Sequence, residues 1–475
     1  MNTSKNSAGD DPRPTASGAD DPQPTASGAD DPQPTASGAE SGPESAAAAG
    51  SEDAPPPRRG WRRWAMDTRP LRIPAYRRLW SSTIVTAVGS QLTAVAVPKQ
   101  IYDLTGSSAW VGAASLAGLV PLVVFALWGG AIADAVDRRK LLLVTNCGIA
   151  VTSVLFWLQA ATGLDSVLAL MLLLAVQQAF WGLNAPARTA SIARLVPAEE
   201  IAAANALGST VMQTGQIVGP LLAGVLIPVI GLPDLYLIDA LALCVTVWAV
   251  YKLPALPPLD TAGTDGARSR RRPAGFREIL AGFRYIASRK VLLLSFLADI
   301  IAMVFGMPRA LFPQLASETY APYGEGLALG LLFAAIPVGA VLGGLFSGTF
   351  SRARRHGWMV IGAVLVWGAA IAGFGLSGSL WLAVAFLAVA GIADMVSMVF
   401  RGAILLSAAT DEMRGRMQGV FTVVVAGGPR LADALHGATG SAFGAPAAVV
   451  TGGLLVLATT SLLALTAPAL RRYRI

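Results

Sequence analysis

The chain has 475 residues, of which 54% are hydrophobic and only 14% charged, with a mean hydropathy of +0.56. A soluble domain carries charge on about a quarter of its residues, so the composition points instead to an all-α integral membrane protein. The 50 Gly and 30 Pro fit that class, because both are commoner in membrane helices than in soluble ones. Cys147 and Cys244 lie in apolar runs and the two histidines, His356 and His436, are far apart; no disulfide framework, zinc cluster or HExxH site is expected. No metal and no cofactor is expected either.

The formal net charge of +7 conceals a sharp asymmetry. Residues 1–57 hold 10 Asp or Glu against Lys5 and Arg13, leaving the remainder at +15. The decamer DDPRPTASGA from Asp10 recurs as DDPQPTASGA from Asp20 and Asp30. Such a Pro, Ser and Asp-rich repeat cannot bury apolar area and is expected to be a disordered acidic tail. Residues 58–78 turn basic and aromatic (Arg58, Trp61, Trp64, Arg77, Arg78), as a segment beside anionic headgroups does. The arginines accompany apolar spans and match no nucleic-acid module, so a membrane surface rather than nucleic acid is their expected partner.

Twelve apolar spans follow, near 79–102, 109–133, 141–162, 166–186, 206–230, 233–253, 291–314, 327–350, 357–377, 379–406, 418–440 and 446–468. The odd-to-even connections lack Lys and Arg; the other side takes Arg138 to Lys140, Arg188, Arg194, Arg268 to Lys290, Arg352 to Arg355, Arg414, Arg416 and Arg471 to Arg474. By the positive-inside rule both termini are cytoplasmic in a multi-pass plasma-membrane protein. Residues 254–290 read as a cytoplasmic linker, with Phe276, Ile279, Leu280, Phe283 and Ile286 at the spacing of an interfacial helix. The expected organisation is a bundle over 79–253, the linker, and a second bundle over 291–475. The halves echo at an offset of 214, Gly129-Gly130 with Gly343-Gly344, and repeated halves suggest a transporter with its site between them.

The loop after the second span reads GGAIADAVDRRK. It resembles the cytoplasmic loop motif of the major facilitator superfamily at Gly130, Asp134 and Arg138, departing at Ala135 and Asp137. Asp134 and Arg138 are four apart and can pair. GQIVGPLLAG in span five resembles the antiporter motif of exporters at Gly215, Gly219 and Pro220, with Ala223 in place of one glycine. AVPKQIYDLTGSSAWVG, PARTASIARLVPAEEIAAANAL, LPALPP, FAAIPVGAVLGGLFSG and DEMRGRMQGVF resemble the enterobactin exporter family, from about Arg69 to the C-terminus. The resemblance implies two six-helix bundles, a functional monomer, a central cavity lined by spans one, four, seven and ten, and export of a siderophore-like or other secondary metabolite against protons. The alternative it leaves open is multidrug or macrolide-like efflux by the same fold.

A charge at the bilayer centre costs about 2.5–3.5 kcal/mol on the insertion scale, which singles out Lys99, Asp239, Asp299, Arg309, Asp394, Arg401, Arg430, Asp433 and His436. Lys99 reaches Asp103 one turn on. Asp239 and Asp299, with no arginine within a turn of their own helices, are the leading proton-coupling candidates, and Asp394 and Asp433, near Arg401 and Arg430, the next. Arg309 and Arg430 are the candidates for holding an anionic or catechol-bearing small-molecule substrate, with Gln178, Trp181 and Phe305 as wall. No Gly-Lys pair exists, so a Walker A loop is absent and the expected energy source is an ion gradient. A membrane-embedded enzyme would need a polar catalytic cluster and larger outer loops, and a bare receptor for the tail would tolerate loss of the intramembrane carboxylates.

Overall fold

The computed structural model describes residues 66–257, 276–350, 353–408 and 411–474. The repeat tail, the basic stretch before Met66 and the polar middle of the linker lie outside them. The described chain is helical: α1 (Pro74–Thr105), α2 (Ser108–Ala135), α3 (Arg138–Ala161), α4 (Val167–Leu195) and α5 (Ile201–Tyr251), then α6 (Phe276–Ser288) and α7 (Lys290–Gly306). After short helical turns come α8 (Glu325–Leu345), α9 (His356–Leu376), α10 (Leu380–Ala408), α11 (Asp411–Phe443) and α12 (Ala445–Thr466). Among the described residues nine helices are long and apolar enough to cross a membrane; α1 and α11, with their polar faces, are not among the nine.

Local chemistry sets the breaks. Gly106, at φ 61°, ends α1 in the left-handed conformation that glycine adopts without strain. The long α5 is two helices in one, because Gly231 at φ 79°, ψ 177° turns the chain between a limb over 201–230 and a limb over 232–251. Asp137 caps α3 by accepting from the backbone N–H of Arg139 and Lys140 at 2.8 and 3.2 Å. The span expected over 291–314 falls within the candidate membrane span Lys290–Thr319, but its helix is broken: α7 stops at Gly306, and Pro308, which has no N–H to donate, opens a run of short turns from Arg309.

Outward faces are apolar, with Val120, Val144, Leu168, Leu241 and Leu462 each about 60% exposed, the inverse of a soluble surface. Inside, one core runs through both halves and includes Phe156 stacked on Tyr236 at 5.4 Å and Phe312 edge-on to Phe333 at 5.1 Å. The first glycine of each echoed pair is the packed one. A methyl on Gly129 would lie 3.1 Å from Leu183 Cα of α4, and one on Gly343 3.2 Å from Ile392 Cα of α10. Gly130 and Gly344 are not so constrained; nothing lies within 4 Å of a methyl at Gly130.

The halves meet along α2 with α11 and α5 with α8, where small residues bring backbones together. A methyl on Gly437 would stand 3.2 Å from Gly112 Cα, and one on Gly330 would stand 3.0 Å from Gly224 Cα. Both contacts lie toward the end opposite the arginine-rich one. Nearer the basic end, α5 and α8 flank a cleft of about 320 Å³ lined by Gln213, Ile217 and Val341 among others.

Candidate functional site

A cavity of about 430 Å³ lies between the halves, walled by residues of α1, α2, α4, α5, α8 and α11 and by the turn at Arg309. Its α4 wall is Leu174, Gln178, Trp181 and Ala185, spaced three or four apart so that one helical face is presented, with Gln177 beside Gln178. Of the substrate-binding candidates, Gln178, Trp181, Arg309 and Arg430 line it. Phe305 does not; it packs against the core, and its carbonyl accepts from His436 Nε2 at 3.1 Å. The aromatic ring actually facing the cavity from this half is Phe333, over which the Arg309 guanidinium sits at 5.8 Å. Apart from its opening Lys290, Ser295 and Asp299, α7 is apolar all round, so its sequence carries no signal of whether Phe305 faces inward.

Two of the four carboxylate candidates line the cavity. Asp239, on the second limb of α5, is 1% exposed and accepts from Thr93 Oγ1 of α1 at 2.7 Å and Ser153 Oγ of α3 at 2.9 Å, all through Oδ2. Its Oδ1 has no hydrogen-bond partner among the described residues. Gln177 Nε2 donates to the same Ser153 hydroxyl at 3.3 Å. Asp433 accepts from Ser115 Oγ of α2 at 2.8 Å, so it bridges the halves, and its Oδ1 is likewise without a partner. Arg430 spends one donor on the Ala426 carbonyl of its own helix at 2.8 Å.

Asp299 and Asp394 stand elsewhere, in the second half on α7 and α10. No arginine lies within a turn of Asp299 on α7, as expected, but Arg401 of α10 reaches across to form an ion pair with it, and Asp394 lies 3.8 Å from the same guanidinium. The pair borders a separate cavity of about 250 Å³ with walls such as Phe296, Met398 and Phe421. Inspection of one helix at a time does not reveal a partner 102 positions along the chain.

At the end opposite the arginines a polar latch joins the halves. Buried Lys99 holds Asp103 at 2.5 Å and also Glu325 at 2.9 Å, at the start of α8. Tyr102 Oη donates to Glu318 Oε1 and Ser108 Oγ to Gln314 Oε1, both at 2.8 Å. The first of these pairs follows from helical spacing; Glu318 and Glu325, in a connection without cations, carried no sequence signal.

The loop motif has its own geometry. Arg138 donates to the carbonyls of Ala133 and Ala190 at 3.3 and 3.2 Å, and its backbone N–H to Leu256 at 3.1 Å, tying α2, α4 and the start of the linker. The side chain of Asp134 lies outside the described residues. Asp137, where the motif departs from its usual glycine, is the α3 cap. The span-five motif divides its contacts. A methyl on Gly215 would stand 2.9 Å from Ala87 Cβ and one on Gly219 3.2 Å from Gln91 Cγ, both on α1. Pro220 and Gly224 face Gly330 of α8.

A family model described as transmembrane secretion effector matches residues 65–472. The chain is 30% identical over 415 residues to the enterobactin exporter EntS of Shigella boydii serotype 18, covering 86% of this chain and 96% of that one; EntS of Escherichia coli strain SMS-3-5 is similar to the same extent. Among solved structures it resembles the nucleoside transporter NupG, with a TM-score of 0.67, 15% identity and coverage of 84% and 100%. It also resembles a bacterial homologue of the human lysosomal transporter Spinster in an inward-facing, unoccupied conformation, with a TM-score of 0.63, 16% identity and coverage of 85% and 97%. With the matched family model spanning nearly all the described chain and the helical halves enclosing a cavity, the chain belongs to the transmembrane secretion effector family of the major facilitator superfamily and is a membrane transporter, not an enzyme.

Proposed function

We propose that the chain is a secondary active exporter that moves a siderophore-like or related aromatic, acidic secondary metabolite out of the cytoplasm in exchange for protons. In this reading α1 to α4, the two limbs of α5 and α7 to α12 are twelve spans, and α6 lies at the membrane surface. The arginine-rich end faces the cytoplasm of a plasma-membrane protein with both termini inside. The protein works as a monomer.

The observation that carries the reading is the polar equipment of the central cavity: Arg309, Arg430, Asp433 and Asp239 around Trp181, Gln178 and Phe333. The arginines offer charge-assisted hydrogen bonds to an anionic group, and the rings offer stacking area. Asp239 supplies the coupling. Its unpartnered Oδ1 accepts a phenolic hydroxyl of the solute when ionised and carries the proton when neutral. The two uses exclude each other, so proton and solute compete for one atom, which is the thermodynamic requirement of antiport. The latch at Lys99 closes the outer end while the solute is taken up, and its release opens that end.

The test is proton release from energised inside-out vesicles, followed by a pH dye, on adding a catecholate siderophore and then a lipophilic drug. Release by the siderophore alone, abolished by Asp239→Asn, is the expected result. Release by drugs of mixed chemistry would transfer the chain to the multidrug alternative. Release that persists in Asp239→Asn would remove that residue from the coupling step.

A further inference from the structure

Arg188 of α4 has no acid beside it among the described residues. It is mostly buried, donates to the Thr83 hydroxyl of α1, and has no carboxylate within 4.0 Å among the described residues. A cation held in a protein interior ordinarily has a counter-charge, because desolvation without one is costly. Its position is not random. On α4 the cavity face runs through Gln178, Trp181 and Ala185; three residues on, the same face reaches Arg188, between exposed Ala185 and Thr189. On α1 the cavity face begins at Ser90, and Thr83 is two helical turns before it. Both directions lead from the cavity toward the basic end.

The second half contains the matching arrangement with one difference. Arg188 and Arg401 each lie 21 residues after the first residue of their 29-residue helices, α4 and α10. Each reaches across to the opening helix of its half, Arg188 to Thr83 of α1 and Arg401 to Asp299 of α7. The repeat therefore places an arginine at one depth in both halves, but among the described residues only the second half sets an acid against it. Where Arg401 has Asp299, Arg188 has a hydroxyl that positions the guanidinium, with no counter-charge among the described residues.

We propose that Arg188 and Thr83 form an outlying anion subsite on the route between the basic end and the central cavity, taking a carboxylate or catecholate group of the solute. This rests on the reading of the solute as anionic. The missing counter-ion is then the cargo itself, bound by Arg188 before it passes to Arg309 and Arg430.

The test measures equilibrium binding to the purified full chain in detergent, using 2,3-dihydroxybenzoate and its uncharged amide as probes. The native chain is expected to prefer the acid. Arg188→Gln is expected to weaken the acid by roughly ten- to a hundredfold, the worth of a hydrogen bond to a charged group, with the amide unchanged; Arg188→Lys should retain part of the affinity. Thr83→Asp, which installs the acid that the second half already has, should cause the same selective loss without removing the arginine. It keeps the test decisive if Arg188→Gln folds poorly. Undiminished preference for the acid in Arg188→Gln and Thr83→Asp would overturn the subsite and leave the anionic reading intact. A native chain that does not distinguish acid from amide would overturn both.

Discussion

Replacing Lys99 with methionine tests whether the polar latch holds the outer end shut. Lys99 is 6% exposed, but its partners Asp103 and Glu325 each keep 39% of their side-chain surface, so both carboxylates are rehydrated at little penalty when the ammonium is removed. Exposed pairs contribute up to about 1 kcal/mol and breaking fully buried ones costs about 3–5 kcal/mol; with one buried and one half-exposed partner, about 1 kcal/mol per pair is a fair assignment. Asp103 lies on α1 with Lys99, so that pair is the same in both states; only the Glu325 pair crosses between the halves, and its about 1 kcal/mol is roughly fivefold in the ratio of closed to open outer ends. Cys147 and Cys244 are the only cysteines and both are exposed, so Cys147→Ser and Cys244→Ser make a clean background for Ala94→Cys, a cavity position on α1. The assay is the rate of labelling by a membrane-impermeant maleimide in intact cells, and Lys99→Met should accelerate it by that order. An unchanged rate in a correctly inserted protein would refute the latch, and Glu325→Gln, which removes the same pair from the other half, should give a similar acceleration.

Asp299→Asn should behave as a stability defect before a coupling defect: it leaves buried Arg401 with only half-exposed Asp394 at 3.8 Å, a loss approaching about 3 kcal/mol, read as reduced thermal stability of the purified protein. Asp299→Asn combined with Arg401→Met should recover most of that loss, and failure to do so would place Asp299 in transport itself. Gly330→Leu should leave each half folded but jam their junction, since a methyl there already stands 3.0 Å from Gly224 Cα; transport that survives this change at normal expression would contradict a close-packed α5 and α8.

Much of the fold is legible because membrane helices announce themselves by length and apolarity. The break at Gly231, the short helix from Phe276 and the Lys99–Asp103 pair are visible from spacing alone. What stays hidden is rotational phase and distant company. Phe305 and Phe333 are both aromatic residues on apolar helices, and no periodicity separates the one in the core from the one in the cavity. Asp299 looks isolated on α7 because Arg401 approaches from another helix, whereas Asp239 looks isolated and is, its neighbours being the hydroxyls of Thr93 and Ser153. The glycine pair at 129 and 130 shows a finer limit: the motif draws attention to Gly130, but the tertiary contact belongs to Gly129, one residue and about 100° around the helix.

The span-five motif gains a physical meaning from this division of contacts. Gly215 and Gly219 press α5 onto α1 within one half, and their tightness makes α1 and α5 move as one body. Pro220 and Gly224 press the same helix onto Gly326 and Gly330 of α8 in the other half, mostly backbone on backbone, with the Pro228 ring the side chain against Gly326. A backbone-on-backbone contact of that kind resists separation by dispersion but offers little resistance to sliding or rocking, which is what alternating access asks of the junction between halves. The latch residues Lys99 and Tyr102 sit on α1, the helix that α5 carries with it. Movement of α5 against α8 would therefore reach the pairs with Glu325 and Glu318 through α1, coupling the glycine contacts to the latch.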